Sequence, residues 1–170
     1  MNYNLVLNNK KTTFKREKSI YLDNCFYNMS DENFFNKKEN INFRLTKLIK
    51  DKEIKNIKYC QKIYRDIFPE ITENLNKLHK IKFSPKAWEI ILGRWLIDFI
   101  HVSYKNYLII KKVFKKFKIK KVYCYKKNTY RLNTSDTESL FHAMNDNEWN
   151  AALNSEIINL ILKKKVNIYF

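Results

Sequence analysis

The stretch SPKAWEIILGRWLIDFIHVSYKNYLIIKKVFKKFKIKKVYCY (Ser84–Tyr125) decides the fold class. Ser84 can cap a free backbone amide and Pro85 suits the first helical position, so the pair marks a helix start. Trp88, Ile91, Leu92, Trp95, Leu96 and Phe99 then recur at helical spacing and predict a wide apolar face. Val102 and Tyr104 continue it and, past a small bend, so do Tyr107, Leu108 and Val113. The basic run Lys111 to Lys121 suits the negative end of a helix dipole. Val122-Tyr123-Cys124-Tyr125, β-branched and aromatic, predicts a strand. A long amphipathic helix feeding a strand is the βα order of a parallel sheet, so the expected class is helix-rich α/β.

Upstream, Tyr3–Leu7 and Ser19–Leu22 are short β-prone runs bounded by Asn, Lys and Asp, and both predict strands. Cys25 to Asn40 alternates polar and aromatic residues without a period and predicts a loop. From Phe43 the spacing turns helical, through Leu45, Leu48, Ile49, Ile54, Ile57, Ile63, Tyr64 and Ile67. Pro69 lacks a donor and disfavours α geometry in the residue before it, which predicts a break or kink near Ile67. A second helical piece carries Ile71, Leu75 and Leu78 and ends near His79. Downstream, Ser135-Asp136-Thr137-Glu138 spells a capping box for a helix to Met144. Asp146 then caps a last helix with Trp149, Leu153, Ile157, Ile158 and Ile161. The expected organisation is one domain over residues 1–165 and a tail over 166–170.

Composition narrows the function classes. The chain has 170 residues, 45% of them hydrophobic and 15% aromatic, so it folds rather than remaining disordered. Its formal charge of +17 raises a competing reading as a basic helical module for nucleic acid or protein interaction. Only five of the 34 basic side chains are arginine (Arg16, Arg44, Arg65, Arg94 and Arg131), which counts against base readout and bidentate phosphate clamping. Cys25, Cys60 and Cys124 and the three histidines are scattered without metal-ligand spacing, so no metal site is expected. The sole glycine, Gly93, rules out a glycine-rich phosphate loop. Glu89, Arg94 and Asp98 interrupt the longest apolar run, Ala87–Ile100, which is too short to span a bilayer. With no apolar leader, the expected place is the cytoplasm, with the lysine-rich surface able to touch an anionic inner leaflet.

Several ordered motifs carry a resemblance. Tyr64 and Pro69 lead to Leu75-Asn76-Lys77-Leu78-His79, followed by Trp88-Glu89-Ile90-Ile91-Leu92-Gly93-Arg94-Trp95-Leu96. Farther on come Tyr104 and Tyr107, the strand at Val122, Asp146-Asn147-Glu148-Trp149-Asn150 and Ser155-Glu156-Ile157-Ile158. In this order the chain resembles, over about Ser19 to Lys164, the amino-terminal region of transferases from O-antigen and other bacterial surface-carbohydrate gene clusters. The resemblance implies a partial Rossmann-like lobe, the amino-terminal half of a two-lobed, GT-B-like glycosyltransferase. It implies a truncated chain, inactive alone, whose companion lobe, encoded downstream, would bind the nucleotide-sugar donor; no other cofactor is implied. Arg94 stands where the family pattern has proline, and the acidic, tryptophan-rich segment after the first strand is reduced to Leu22-Asp23-Asn24-Cys25.

Each candidate site residue has a structural reading beside the functional one. His79 is a candidate general base or a helix-end cation, and Glu148 a candidate catalytic acid or part of a solvated face. Trp88 and Trp95, seven apart, are candidates to stack on a sugar or core residues of one helical face. Arg94 is a candidate phosphate ligand or the partner of Asp98 in an i,i+4 ion pair. Gly93 reads as a point of close helix packing, and Glu156 as a second acid placed by the motif alone.

Overall fold

The computed structural model describes residues 2–7, 18–22, 40–43, 53–125, 132–161 and 167–169. Strands β1 (Asn2–Val6), β2 (Lys18–Leu22), β3 (Asn40–Phe43), β4 (Lys118–Tyr123) and β5 (Asn167–Tyr169) form one sheet in the order β3-β2-β1-β4-β5. Every adjacent pair is parallel. The expected α/β class and the strands near Tyr3 and Ser19 are present. Leu5, Val6, Leu7, Ile20, Tyr21 and Leu22 are all fully buried, so both faces of the central strands are covered, as their near-continuous apolar runs require.

Two strands run where a helix was expected. Phe43 ends β3 instead of opening a helix, while Leu45, Leu48 and Ile49 lie outside the described residues, as do Cys25 and most of its expected loop. Lys118 to Lys121, read as the basic end of a helix, begins β4. A bulge makes this possible: Tyr3 pairs with Ile119, but Asn4 pairs with Lys121, so Lys120 is skipped. The skip shifts the side-chain phase, and Ile119 joins Val122 and Cys124 against the same core. Residues 167–169, read as part of a tail, form β5 alongside β4.

The helices are α1 (Glu53–His79), α2 (Pro85–Trp88), a π-helical turn (Glu89–Gly93), α3 (Arg94–Lys116), α4 (Thr137–Met144) and α5 (Asn147–Ile161). Pro69 lies inside α1, so the expected break does not occur. Ile63, Tyr64, Ile67, Phe68 and Ile71, on both sides of the proline, pack on one cluster around Cys60, Leu96 and Ile100. That burial outweighs the roughly 3 kcal/mol a helix-interior proline costs. The caps at Ser84 and Asp146 form as expected, with Ala87 N donating to Ser84 Oγ at 3.2 Å and Trp149 N to Asp146 Oδ1 at 2.6 Å. The capping box sits one residue later than its sequence spelling. Asp136 caps α4, and Ser139 answers it from the third helical position.

α3 serves three clusters in turn. Leu96 and Ile100 pack on α1, Val102 joins Leu140, Trp149 and Leu153, and Ile109, Ile110 and Val113 pack on the sheet with Ala151 and Ile158 of α5. Its 23 residues span about 35 Å, whereas the six residues of β4 span about 20 Å. Only Phe117 separates the two, so α3 turns straight back over β4 and its amino-terminal half overhangs the carboxyl edge of the sheet.

The irregularity in this helix falls in the π turn, upstream of the small bend expected near Tyr104. The extra residue in the turn shifts the helical phase, leaving Ile91 exposed and Gly93 buried. A Cβ on Gly93 would come within 3.0 Å of Tyr64 Oη, which supports the close-packing reading. In urea unfolding, Gly93→Ala alone is expected to give no gain in stability, because the hydroxyl cancels the helix-propensity benefit. In a Tyr64→Phe background the same change should stabilise by about 1 kcal/mol.

Candidate functional site

In open parallel sheets, ligands bind beyond the carboxyl ends of the strands where the order of strand addition reverses, which here lies between β1 and β4. The ladder continues one residue past β1, with Leu7 N donating to Tyr123 O at 2.9 Å. Tyr125 N then donates to Ser155 Oγ at 2.8 Å, and the Ser155 hydroxyl donates to Ala151 O at 2.7 Å. The Tyr125 phenol donates to Glu148 Oε2 at 3.1 Å. α5 is thereby tied to the exit of β4, with the half-buried Glu148 bonded to the Tyr125 phenol.

The other members of this motif have structural work. Asp146 caps α5. Trp149 is buried in the core, its ring edge-on to Phe99 with centroids 6.4 Å apart. Asn150 is buried, donates to Met144 O at 2.9 Å and Asp146 O at 2.8 Å, and accepts from Asn106 Nδ2 at 3.4 Å. Glu148 is the member whose carboxylate bonds the Tyr125 phenol. Neighbouring Cys124 is buried. Burial pushes its thiol up to about 11, the Ser155 hydrogen bond lowers it in part, and the Glu156 carboxylate adds a smaller upward push.

Two depressions open beside the α4–α5 turn. The larger, about 780 Å³, is lined by Asn133, Thr134, Ser139, His142, Asp146 and Trp149. The smaller, about 340 Å³, takes Asp98, His101, Lys105, Asn106, Asn145 and Asn150. Trp149 Nε1 and His101 Nε2 are buried without a hydrogen-bond partner among the described residues. Asp136, at the mouth of α4, has its carboxyl held below the usual range, chiefly by the Ser139 backbone amide. Among the described residues no group of three or more His, Cys, Asp or Glu could hold a metal ion.

The structure does not gather the other sequence candidates here. His79 is the exposed last residue of α1. Trp88 is buried and donates from its indole to Asn76 Oδ1 at 2.9 Å. The same Asn76 side chain bonds Phe83 N and O, both at 3.0 Å. The Asn in the Leu75–His79 motif is therefore a clamp across the α1–α2 turn, and Trp88 is its partner. Trp95 donates to Thr134 Oγ1 at 2.7 Å and stacks on Phe99 at 5.2 Å, which fixes the loop before α4. The exposed Arg94 pairs with Asp98 at 2.7 Å. Glu156 is half-buried, one residue beyond Ser155.

Tyr125 and Ser155 were not singled out by the sequence as functional. Their signal was position, an aromatic at a strand exit and the serine of the Ser155–Ile158 motif, and it acquires meaning only when strand and helix meet.

Asn76→Ala should lower stability by about 2 kcal/mol in chemical unfolding, because it strips three hydrogen bonds and leaves the buried Trp88 indole unpaired. A second expectation concerns pH. A thiol whose folded pKa is raised gives stability that is complete below its unfolded value and is lost as pH climbs toward the folded one. Stability should therefore fall between about pH 9 and pH 11, by about 2–3 kcal/mol from Cys124, and Cys124→Ala should flatten that part of the profile.

Residues 3–169 match the sequence profile of a family described as LIC12162 family transferase. Comparisons with curated proteins and with solved structures return no match.

Proposed function

Because the chain belongs to the LIC12162 family of transferases, we propose that it acts in bacterial surface-polysaccharide synthesis as the acceptor-side lobe of a two-lobed, GT-B-like glycosyltransferase. The companion lobe would hold the nucleotide-sugar donor. The observation that carries this reading is Glu148, held by Tyr125 just past the end of β4 and followed in sequence by Trp149, which lines a depression walled by hydroxyl and amide groups. Such a wall suits a polyhydroxylated ligand, which needs many short hydrogen-bonding partners.

The lack of a glycine-rich loop supports placing the donor elsewhere. Gly93, the sole glycine, is buried in the π turn, so no loop of this chain has the glycines with which a backbone usually approaches a pyrophosphate. Both faces of the central strands are already covered, so a companion lobe would meet the carboxyl edge, where the crevice lies.

In this reading Glu148 takes the proton from the acceptor hydroxyl as its oxygen bonds to the anomeric carbon. The bond from that carbon to the leaving phosphate breaks with its electron pair on the phosphate oxygen. Tyr125 positions the carboxylate. His79, exposed at the end of α1, has no part in the step.

The test uses the three indole N–H signals of the chain and a transfer assay with the companion lobe. Saccharide acceptors should shift the Trp149 and Trp95 signals and leave Trp88 unmoved, while nucleotide sugars shift none. Glu148→Gln should preserve these saccharide shifts and lower transfer by about 10²–10⁴-fold. Binding of a nucleotide sugar to this chain alone, or full transfer by Glu148→Gln, would refute the assignment.

A further inference from the structure

The corner where α1 ends and α2 begins exposes more apolar surface than a solvated turn needs. Leu78 is 73% exposed, Phe83 45%, Ile90 79% and Ile91 58%. The same corner carries Lys80, Lys82 and Lys86 against one acidic residue, Glu89, while Lys77 and Arg94 at its margins are paired with Glu73 and Asp98. Exposed apolar side chains interspersed with cations are the pattern of a surface that dips into the boundary between headgroups and acyl chains.

The corner is also pre-shaped. Asn76 bonds both backbone groups of Phe83 and accepts from the Trp88 indole, and the Phe83 and Trp88 rings lie 5.6 Å apart. Lys80, at φ 54, holds the left-handed position that closes α1, with Ile81 N donating to Asn76 O at 3.1 Å. Little conformational freedom is left to lose on docking. The π turn contributes as well, because its extra residue departs from the regular apolar period and leaves Ile90 and Ile91 in solvent.

We propose that this corner docks on an anionic membrane surface. Charge complementarity selects that occupant. A second copy of the chain would bring the same cationic corner against itself, and the cores of protein interfaces are depleted in lysine. Lysine suits a lipid surface, since its stem can lie along apolar groups while the ammonium stays among phosphates. Nucleic acid would leave four apolar side chains without a role. No described helix is long and apolar enough to cross a membrane, so the contact would lie on the bilayer. The proposal stands on exposure and charge alone and is independent of the transfer reaction.

Vesicle co-sedimentation of the whole chain tests it, with phosphatidylcholine alone or with added phosphatidylglycerol, at physiological and high salt. Binding is expected only to the anionic vesicles and should weaken with salt. Lys80→Glu/Lys82→Glu/Lys86→Glu should reduce partitioning by about a hundredfold or more, and Ile90→Ser/Ile91→Ser by about tenfold. The matched set Lys55→Glu/Lys58→Glu/Lys62→Glu, on the exposed far half of α1, should cost much less. The lysine set buries no apolar group, so it tests the idea even if the isoleucine pair disturbs folding. Equal loss from both lysine sets, no binding to anionic vesicles, or a concentration-dependent dimer abolished by Ile90→Ser/Ile91→Ser would each overturn the proposal, the last in favour of a second copy.

Discussion

Leu96 and Ile100, then Val102, then Ile109, Ile110 and Val113 commit successive thirds of α3 to three different packing clusters. A side chain of this kind, fully buried, contributes about 2 kcal/mol, so no cluster can be abandoned without loosening the helix that serves the other two. The sheet and the α4–α5 pair also meet directly, through Ala151 and Ile158, but α3 is the element that packs on both and on α1. This explains why α1 tolerates a proline in its interior and why the helix carries a π turn before reaching the α1 cluster. The turn resets the phase so that Gly93 meets Tyr64 while Leu96 and Ile100 remain directed at α1.

The elements legible in the sequence are those whose cause is local. The Ser84 and Asp146 caps need only neighbouring amides, and the apolar runs at Tyr3 and Ser19 are β-prone on their own. The elements that were misread depend on partners distant in sequence. β3 is four residues of Asn-Ile-Asn-Phe and becomes a strand by pairing with β2. β4 begins in a lysine run that resembles the end of a helix, and only its pairing with β1, with Lys120 skipped, turns Ile119 and Val122 to one core. Pro69 shows the same competition from the other side, since a local preference for a break yields to packing on both sides of it.

The candidate site was legible as a set of motifs, without the roles of their residues. Asn76, Trp88, Trp149 and Asn150 have the chemistry of ligand contacts, but the fold uses them as clamp and core. Burial and hydrogen bonding decide this, and neither can be read from residue type: the indoles of Trp88 and Trp95 each already have an oxygen partner. Glu148 was one of two candidate acids, with Glu156, and it is distinguished by Tyr125, whose phenol reaches it across 23 residues of sequence.

The same helix that organises the core also sets how the two proposed regions face. α3 turns back over β4 after one residue, so its amino end points toward the carboxyl edge of the sheet. It is longer than the strand by about 15 Å, and α2 and the π turn extend it further. The α1–α2 corner therefore projects past the carboxyl edge of the sheet. A protein seated by that corner would hold its carboxyl edge toward the bilayer. The Asn76 clamp and the Gly93 contact would then transmit orientation from the corner to the core, which is a reason for polar groups at a turn to be bonded so completely.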